Sequence, residues 1–160
     1  MSMKPRARPS DSAWQSVLDS ANALAAAAAE LGADREALLD RLRSALRGVG
    51  DRHGAFTFLG YLGSDYASDL IPELVEAALS HRDATKARHL IGRLPAEEAR
   101  QVVPPAVWAQ LERTSDYDAY RRMAELLDHL GLDDALEQLC ATAAVSSDDD
   151  VREVAVDFRR

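Results

Sequence analysis

Histidine and cysteine are the side chains of this sequence best suited to bind a metal or to act as nucleophiles. The histidines are His53, His81, His89 and His129. Their separations match neither the HExxH motif nor the Cys/His spacing of zinc sites. Cys140 lies at helical spacing with Leu136, Leu139 and Ala143, which predicts a small buried side chain and not a reactive thiolate. The sequence therefore predicts no metal and no cofactor.

Carboxylates form the second group of residues that could carry chemistry. The run Asp148–Asp150 lacks the spaced oxygen ligands, the central glycine and the closing glutamate of a calcium loop. It is instead typical of a helix N-terminus, where acids meet the positive end of the helix. No glycine-rich phosphate loop and no GxSxG or SxxK nucleophile motif occurs. These patterns favour a protein that is not an enzyme.

An apolar quartet with the spacing of one helix face recurs along the chain. Its four copies are Ala55-Phe58-Leu59-Leu62, Ala87-Leu90-Ile91-Leu94, Met123-Leu126-Leu127-Leu130 and Val151-Val154-Ala155-Phe158. The quartets start 32, 36 and 28 residues apart, and Gly63, Pro95 or Gly131 closes each of the first three before a second helix. A period of about thirty residues with two helices per unit predicts an α-solenoid.

The chain before these repeats predicts one further hairpin. Ser12 and Gln15 have the spacing of a capping box, and Asp34 caps a second helix that ends at Gly48. The stripe of the first helix is Trp14, Val17, Leu18, Ala21, Leu24, Ala25, Ala28 and Leu31. In the third repeat, Pro104 and Pro105 predict that the second helix is split into two pieces.

The predicted fold is all-α: a right-handed α-solenoid, or superhelix, of about four antiparallel helical hairpins plus a C-terminal helix. A disordered N-terminal arm is expected over residues 1–11. A single domain follows over 12–160, with a capping hairpin at 12–48 and repeats at 51–160. Phe158 has no second helix after it, so we expect either a homodimer through the C-terminal helix or a continuation of the stack.

Four segments resemble HEAT repeats, especially the short bacterial kind. They read FLGYLG at 58–63, IPELVEAAL at 71–79, RHLIGRL at 88–94 and DDDVREVA at 148–155. The resemblance implies a protein-binding scaffold, adaptor or immunity-type protein, because most family members bind proteins. Other members are bilin lyases or DNA-alkylation glycosylases, and a nucleic-acid enzyme of the glycosylase kind is the alternative that the resemblance leaves open.

Charge selects among these partners. The chain has a formal charge of −8, and residues 51–160 hold 21 acidic and 12 basic side chains. This balance disfavours nucleic acid, whose phosphates need many cations, and favours a basic protein or peptide. The predicted binding residues on the second helices are Glu73, Glu76, Glu97, Glu98, Asp133, Asp134 and Glu137, with Tyr61, Tyr66 and Trp108 as aromatic anchors. The alternative reading is a solvated acidic face without a partner.

The first helices of the repeats carry the opposite charge. Their cations are Lys86, Arg88, Arg93, Arg121 and Arg122. No apolar run reaches the ~18 residues of a membrane span. A single cysteine fits a reducing compartment. We therefore expect a cytoplasmic protein that does not bind membranes.

Overall fold

The structure is a computed structural model that describes residues 11–159. Within this range the chain forms ten helices and no strand, which confirms the predicted all-α class. The helices are α1 (Asp11–Leu31), α2 (Arg35–Leu46), α3 (Arg52–Leu59), α4 (Ser64–Asp69), α5 (Ile71–Ala78), α6 (Ala84–Ile91), α7 (Ala96–Arg113), α8 (Tyr117–His129), α9 (Asp133–Ala144) and α10 (Asp149–Phe158). None of these helices has the length and apolar character needed to cross a bilayer.

The chain divides within α2 into two compact units, residues 1–38 and 39–160. The described part of the first unit consists of α1 and the start of α2. Helix α1 has 21 residues and contains no buried residue. Its alanines, the strongest helix formers, explain how it forms without a core. The predicted arm lies outside the described residues except for Asp11, and the predicted domain boundaries remain predictions.

The four apolar quartets contribute to the core of the second unit. Twelve of their sixteen residues are buried and the other four are half-buried. Helix α5 packs against both α6 and α7, and α9 packs against both α8 and α10. Each of these two helices therefore packs against two helices that lie close to it in the chain.

Short polar and glycine signals set where the helices begin and end. Asp34 accepts a hydrogen bond from the Ala37 backbone N–H at 3.1 Å, and Asp148 accepts one from the Asp150 N–H at 2.9 Å, so both predicted caps are confirmed. Gly131 has a φ of 64°, and the Leu132 N–H after it donates to the Leu127 carbonyl at 3.0 Å. This left-handed residue ends α8 and lets α9 start two residues later.

The prediction that Pro104 and Pro105 split their helix is wrong. Helix α7 runs without a break from Ala96 to Arg113, with both prolines inside it. The two prolines remove two backbone donors, so other interactions must offset the two hydrogen bonds that α7 lacks. The buried side chains of Val103, Val107 and Leu111 lie on α7, which packs against α5. Tertiary packing therefore overrides the local cost of the prolines.

Candidate functional site

The start of α9 carries a compact group of acidic side chains, which we call the α9 acidic cluster: Asp133, Asp134 and Glu137. All three are exposed, and the first two lie in the first turn of α9. The N-cap residue of this helix, Leu132, makes no side-chain cap, and the N–H groups of the first turn make the local field positive, which favours carboxylates there. Within residues 11–159, the side chains of Asp134 and Glu137 have no ion-pair or hydrogen-bonding partner.

Two grooves flank this cluster. The larger, which we call the C-terminal groove, has a volume of about 450 Å³. It is lined by Asp133, Leu136, Glu137, Cys140, Ala141, Phe158 and Arg159. The smaller, the α7–α9 groove, has a volume of about 290 Å³ and is lined by Arg100, Pro104, Gly131, Leu132, Asp133, Asp134 and Ala135. Each groove combines carboxylates with apolar side chains, a lining that suits a side chain with an apolar stem and a positive head.

The other predicted acidic residues are placed differently. Glu73 is buried at 5% exposure and accepts a hydrogen bond from Arg47 at 2.6 Å, so it does not belong to an exposed acidic face. The carboxylates of Glu76 and Glu97 lie 3.7 Å from Arg113 and 3.2 Å from Arg100. Glu98 is half-buried at the start of α7. Of the predicted acidic residues, Asp133, Asp134 and Glu137 of α9 line the two grooves, and the other four do not.

The predicted aromatic anchors lie away from the α9 acidic cluster. Tyr61 is 67% exposed and lines a third groove of about 530 Å³ between α3 and α6, together with Phe56 and Lys86. Tyr66 lies in α4 and Trp108 in α7, and both are half-buried. Neither groove beside α9 is lined by any of the three predicted aromatic residues.

All five cations predicted on the first helices contact a residue 31 to 41 positions away in the sequence. The pairs of side chains are Lys86 with His53, Arg88 with Glu125, Arg121 with Asp157, and Arg122 with His81. Arg93 instead donates to the backbone carbonyls of Leu59, Gly60 and Leu62 at 2.7 to 3.0 Å and so satisfies the end of α3. Three of these contacts join α3 to α6, α6 to α8 and α8 to α10.

Glu125 is the acceptor at the centre of this set of contacts. It accepts a hydrogen bond from Arg88, and the Arg122 guanidinium lies 3.3 Å from the same carboxylate. Burial acts to raise the pKa of Glu125, but the hydrogen bond and charge of Arg88 and the charge of Arg122 outweigh it, so the pKa lies below its ordinary value. The ionised form of Glu125 therefore stabilises the fold.

We expect E125Q to lower the free energy of unfolding at neutral pH by up to about 1 kcal/mol, because glutamine keeps the shape but loses the charge. The lowered pKa means that the contribution is complete above the ordinary pKa of 4.5 and is lost as the pH falls through the folded-state pKa. Urea unfolding of the wild type and of E125Q at pH 7 and at about pH 3 measures the difference in unfolding free energy at each pH. The exposed Glu153 provides the control, because E153Q should change neither curve. A pH-independent difference for E125Q would contradict the assignment.

Cys140 is buried at 5% exposure beside the C-terminal groove. Burial raises the pKa of its thiol, although the positive charge of Arg159 acts in the opposite direction. The thiol therefore stays protonated and packs as a small apolar group, as the sequence predicts. The described residues contain no group of three or more His, Cys, Asp or Glu side chains arranged to hold a metal ion.

No family model, no curated protein and no solved structure matches the chain.

Proposed function

We propose that residues 39–160 form a right-handed HEAT-like α-solenoid that acts as a non-enzymatic protein-binding module. Its binding surface is the α9 acidic cluster with the two grooves beside it, and its partner is a basic protein or peptide. This activity suits an adaptor, scaffold or immunity-type role.

The periodic contacts of the second unit support the solenoid. In a stack of repeats each unit touches only its neighbours, so side chains one repeat apart must meet. Lys86 meets His53 over 33 residues and Arg121 meets Asp157 over 36 residues, both close to the period of the apolar quartets. The packing of α5 against α6 and α7, and of α9 against α8 and α10, fits the same arrangement.

The observation that carries the binding proposal is a difference in how charges are paired. The cations of the first helices are engaged in contacts between helices, as described above for Arg88 and Arg121. The carboxylates of Asp134 and Glu137 have no such partner within residues 11–159. Unpaired charges of one sign on a rigid surface attract the opposite charge and select against like-charged partners.

The C-terminal groove indicates the chemistry of the bound side chain. Leu136 and Phe158 provide an apolar surface on which the methylene stem of a lysine or arginine can lie. Asp133 and Glu137 then meet the positive head group. A basic side chain next to an apolar residue in an extended peptide therefore fits this surface better than a run of basic residues alone.

Fluorescence anisotropy with a short labelled peptide that alternates lysine with leucine and alanine tests this proposal. We expect D134N/E137Q to bind this peptide about two- to thirtyfold more weakly than the wild type, from the usual strength of two exposed ion pairs. R159Q should bind more tightly, because it removes a competing cation from the C-terminal groove. Raising the salt concentration should weaken wild-type binding.

The matched control is E112Q/E153Q, which removes the same charge from exposed positions outside both grooves. It should bind as the wild type does. An equal loss in both double variants would mean that only the net charge of the chain matters. A chain that does not bind the basic peptide, or that binds its glutamate counterpart equally well, would overturn the proposal.

A further inference from the structure

Helix α1 presents an apolar stripe that no described residue covers fully. Its large side chains are Trp14 at 58% exposure, Val17 at 57%, Leu18 at 37%, Leu31 at 46% and Leu24, which is half-buried. A row of large apolar side chains on one exposed helix face marks an interaction surface, because water solvates it poorly.

The spacing of the stripe identifies the kind of partner. The apolar positions 14, 17, 21, 24, 28 and 31 follow one another at alternating intervals of three and four residues. This is a heptad repeat, with Trp14, Ala21 and Ala28 at its first core position and Val17, Leu24 and Leu31 at its second. We call the row of these six core positions the seam. A strict heptad keeps such a row in contact with another helix along its whole length. The partner of α1 is therefore itself a helix that runs alongside it.

We propose that this partner is α1 of a second copy of the chain, packed antiparallel to form a symmetric dimer. A parallel pair would place alanine opposite alanine in the layers of Ala21 and Ala28 and leave those layers underfilled. An antiparallel pair with its two-fold axis midway between Ala21 and Leu24 places Ala21 opposite Leu24 and Ala28 opposite Val17. Every alanine of the seam then faces a larger side chain, and the same patch serves both copies, as a two-fold interface requires.

The charges beside the seam favour a second copy. The positions that flank the seam are Asp11, Ala13, Leu18, Ser20, Ala25 and Ala27, of which only Asp11, the first residue of the helix, is charged. Asp11 precedes the outermost layer of the seam, which begins at Trp14, and Asp19 and Glu30, the other acids of the helix, lie at heptad positions that face away from the seam. Two chains of net charge −8 can thus meet along α1 without repulsion at the contact, whereas a partner selected by charge would find no ion pair there.

The size of the seam sets the strength of the dimer. A helix of 21 residues is about 31 Å long and presents a strip about 10 Å wide. That strip covers about 310 Å² on each copy, less than the ~800 Å² per partner of a standard specific interface. We therefore expect a reversible dimer whose population rises with protein concentration.

Sedimentation equilibrium of the full chain at several concentrations tests the dimer. V17E/L24E should raise its dissociation constant at least about 100-fold, because the new carboxylates lie in the seam. The control is N22E/A23E, which adds the same charge to the outer face of the same helix and should leave the dissociation constant unchanged. No residue of α1 is buried, so neither variant removes a core side chain, and circular dichroism checks that both keep their helices.

Spin labels test the antiparallel orientation. On a Cys140→Ala background, the two labels at Gln15→Cys should be about 22 Å apart along the helix axis of the dimer. The two labels at Ala23→Cys should be only about 2 Å apart along this axis. Equal separations at the two positions would indicate a parallel pair and overturn the proposal. A chain that is monomeric at every concentration would also overturn it, and so would a dimer that V17E/L24E leaves intact.

Discussion

Replacing Leu127 with alanine should lower the free energy of unfolding of the second unit by about 3 kcal/mol. Leu127 lies on the buried face of α8 and is 0% exposed. Helices α9 and α10 both pack against α8, so the side chain is enclosed and the cavity left by the substitution cannot collapse fully. Urea unfolding followed by circular dichroism gives the change as a lower midpoint at the same slope.

Val156→Ala is the control for this substitution. Val156 belongs to α10 but is 76% exposed, so its truncation should change the stability by no more than about 0.5 kcal/mol. If both variants shifted the midpoint equally, the quartet residues of α8 would not form the core described above.

Pro105→Ala should raise the free energy of unfolding by about 1 to 2 kcal/mol. Proline inside a helix costs about 3 kcal/mol relative to alanine, and part of this gain is offset because alanine gives the unfolded chain more freedom. Pro105 is exposed inside α7, so alanine leaves no cavity, and its N–H can donate to the Gln101 carbonyl four residues earlier. Urea unfolding measures the gain.

Pro72→Ala is the matched control for Pro105→Ala. Pro72 is also exposed, but it lies in the first turn of α5, where a backbone N–H has no partner within the helix. Its substitution should leave the stability unchanged or slightly lower. If Pro105→Ala destabilised the protein, the shape that Pro105 gives α7 would be needed for its packing against α5. The backbone hydrogen bond that Pro105 removes would then matter less than this packing.

The helical class and the core residues were predictable from the sequence because they depend on local periodicity. Ala87, Leu90 and Ile91 of α6 are all buried, since residues at this spacing lie on one face of any helix. The cap at Asp148 was predictable for the same reason, because a cap involves only the first turn of its own helix.

Features that depend on distant residues were not predictable in this way. Glu73 has the spacing of an exposed acid on α5, and it is buried because Arg47, 26 residues earlier, supplies its counter-charge. The continuity of α7 through its prolines likewise depends on packing against α5. Both outcomes are set by tertiary contacts, which outweigh propensity where the two conflict.

The sequence predicted which acidic residues belong to the candidate site, but it did not predict the grooves beside them. The acids at the start of α9 could be named from the sequence, because acids commonly begin helices. The grooves beside them could not be anticipated, since they form where Phe158 of α10 and Pro104 of α7 approach α9. The pairing of Arg88 with Glu125, 37 residues apart, also required the fold.

The buried Cys140 can report on the separation of α9 and α10. Its thiol lies on α9 beside α10 and, being the single cysteine of the protein, gives a single chemical signal. The thiol is 5% exposed in the wall of the C-terminal groove, so an alkylating reagent reacts slowly with it while α9 and α10 stay packed and faster whenever they separate. Fraying at this end of the chain can thus be timed in the unmodified protein, with or without a bound peptide, before any residue is changed.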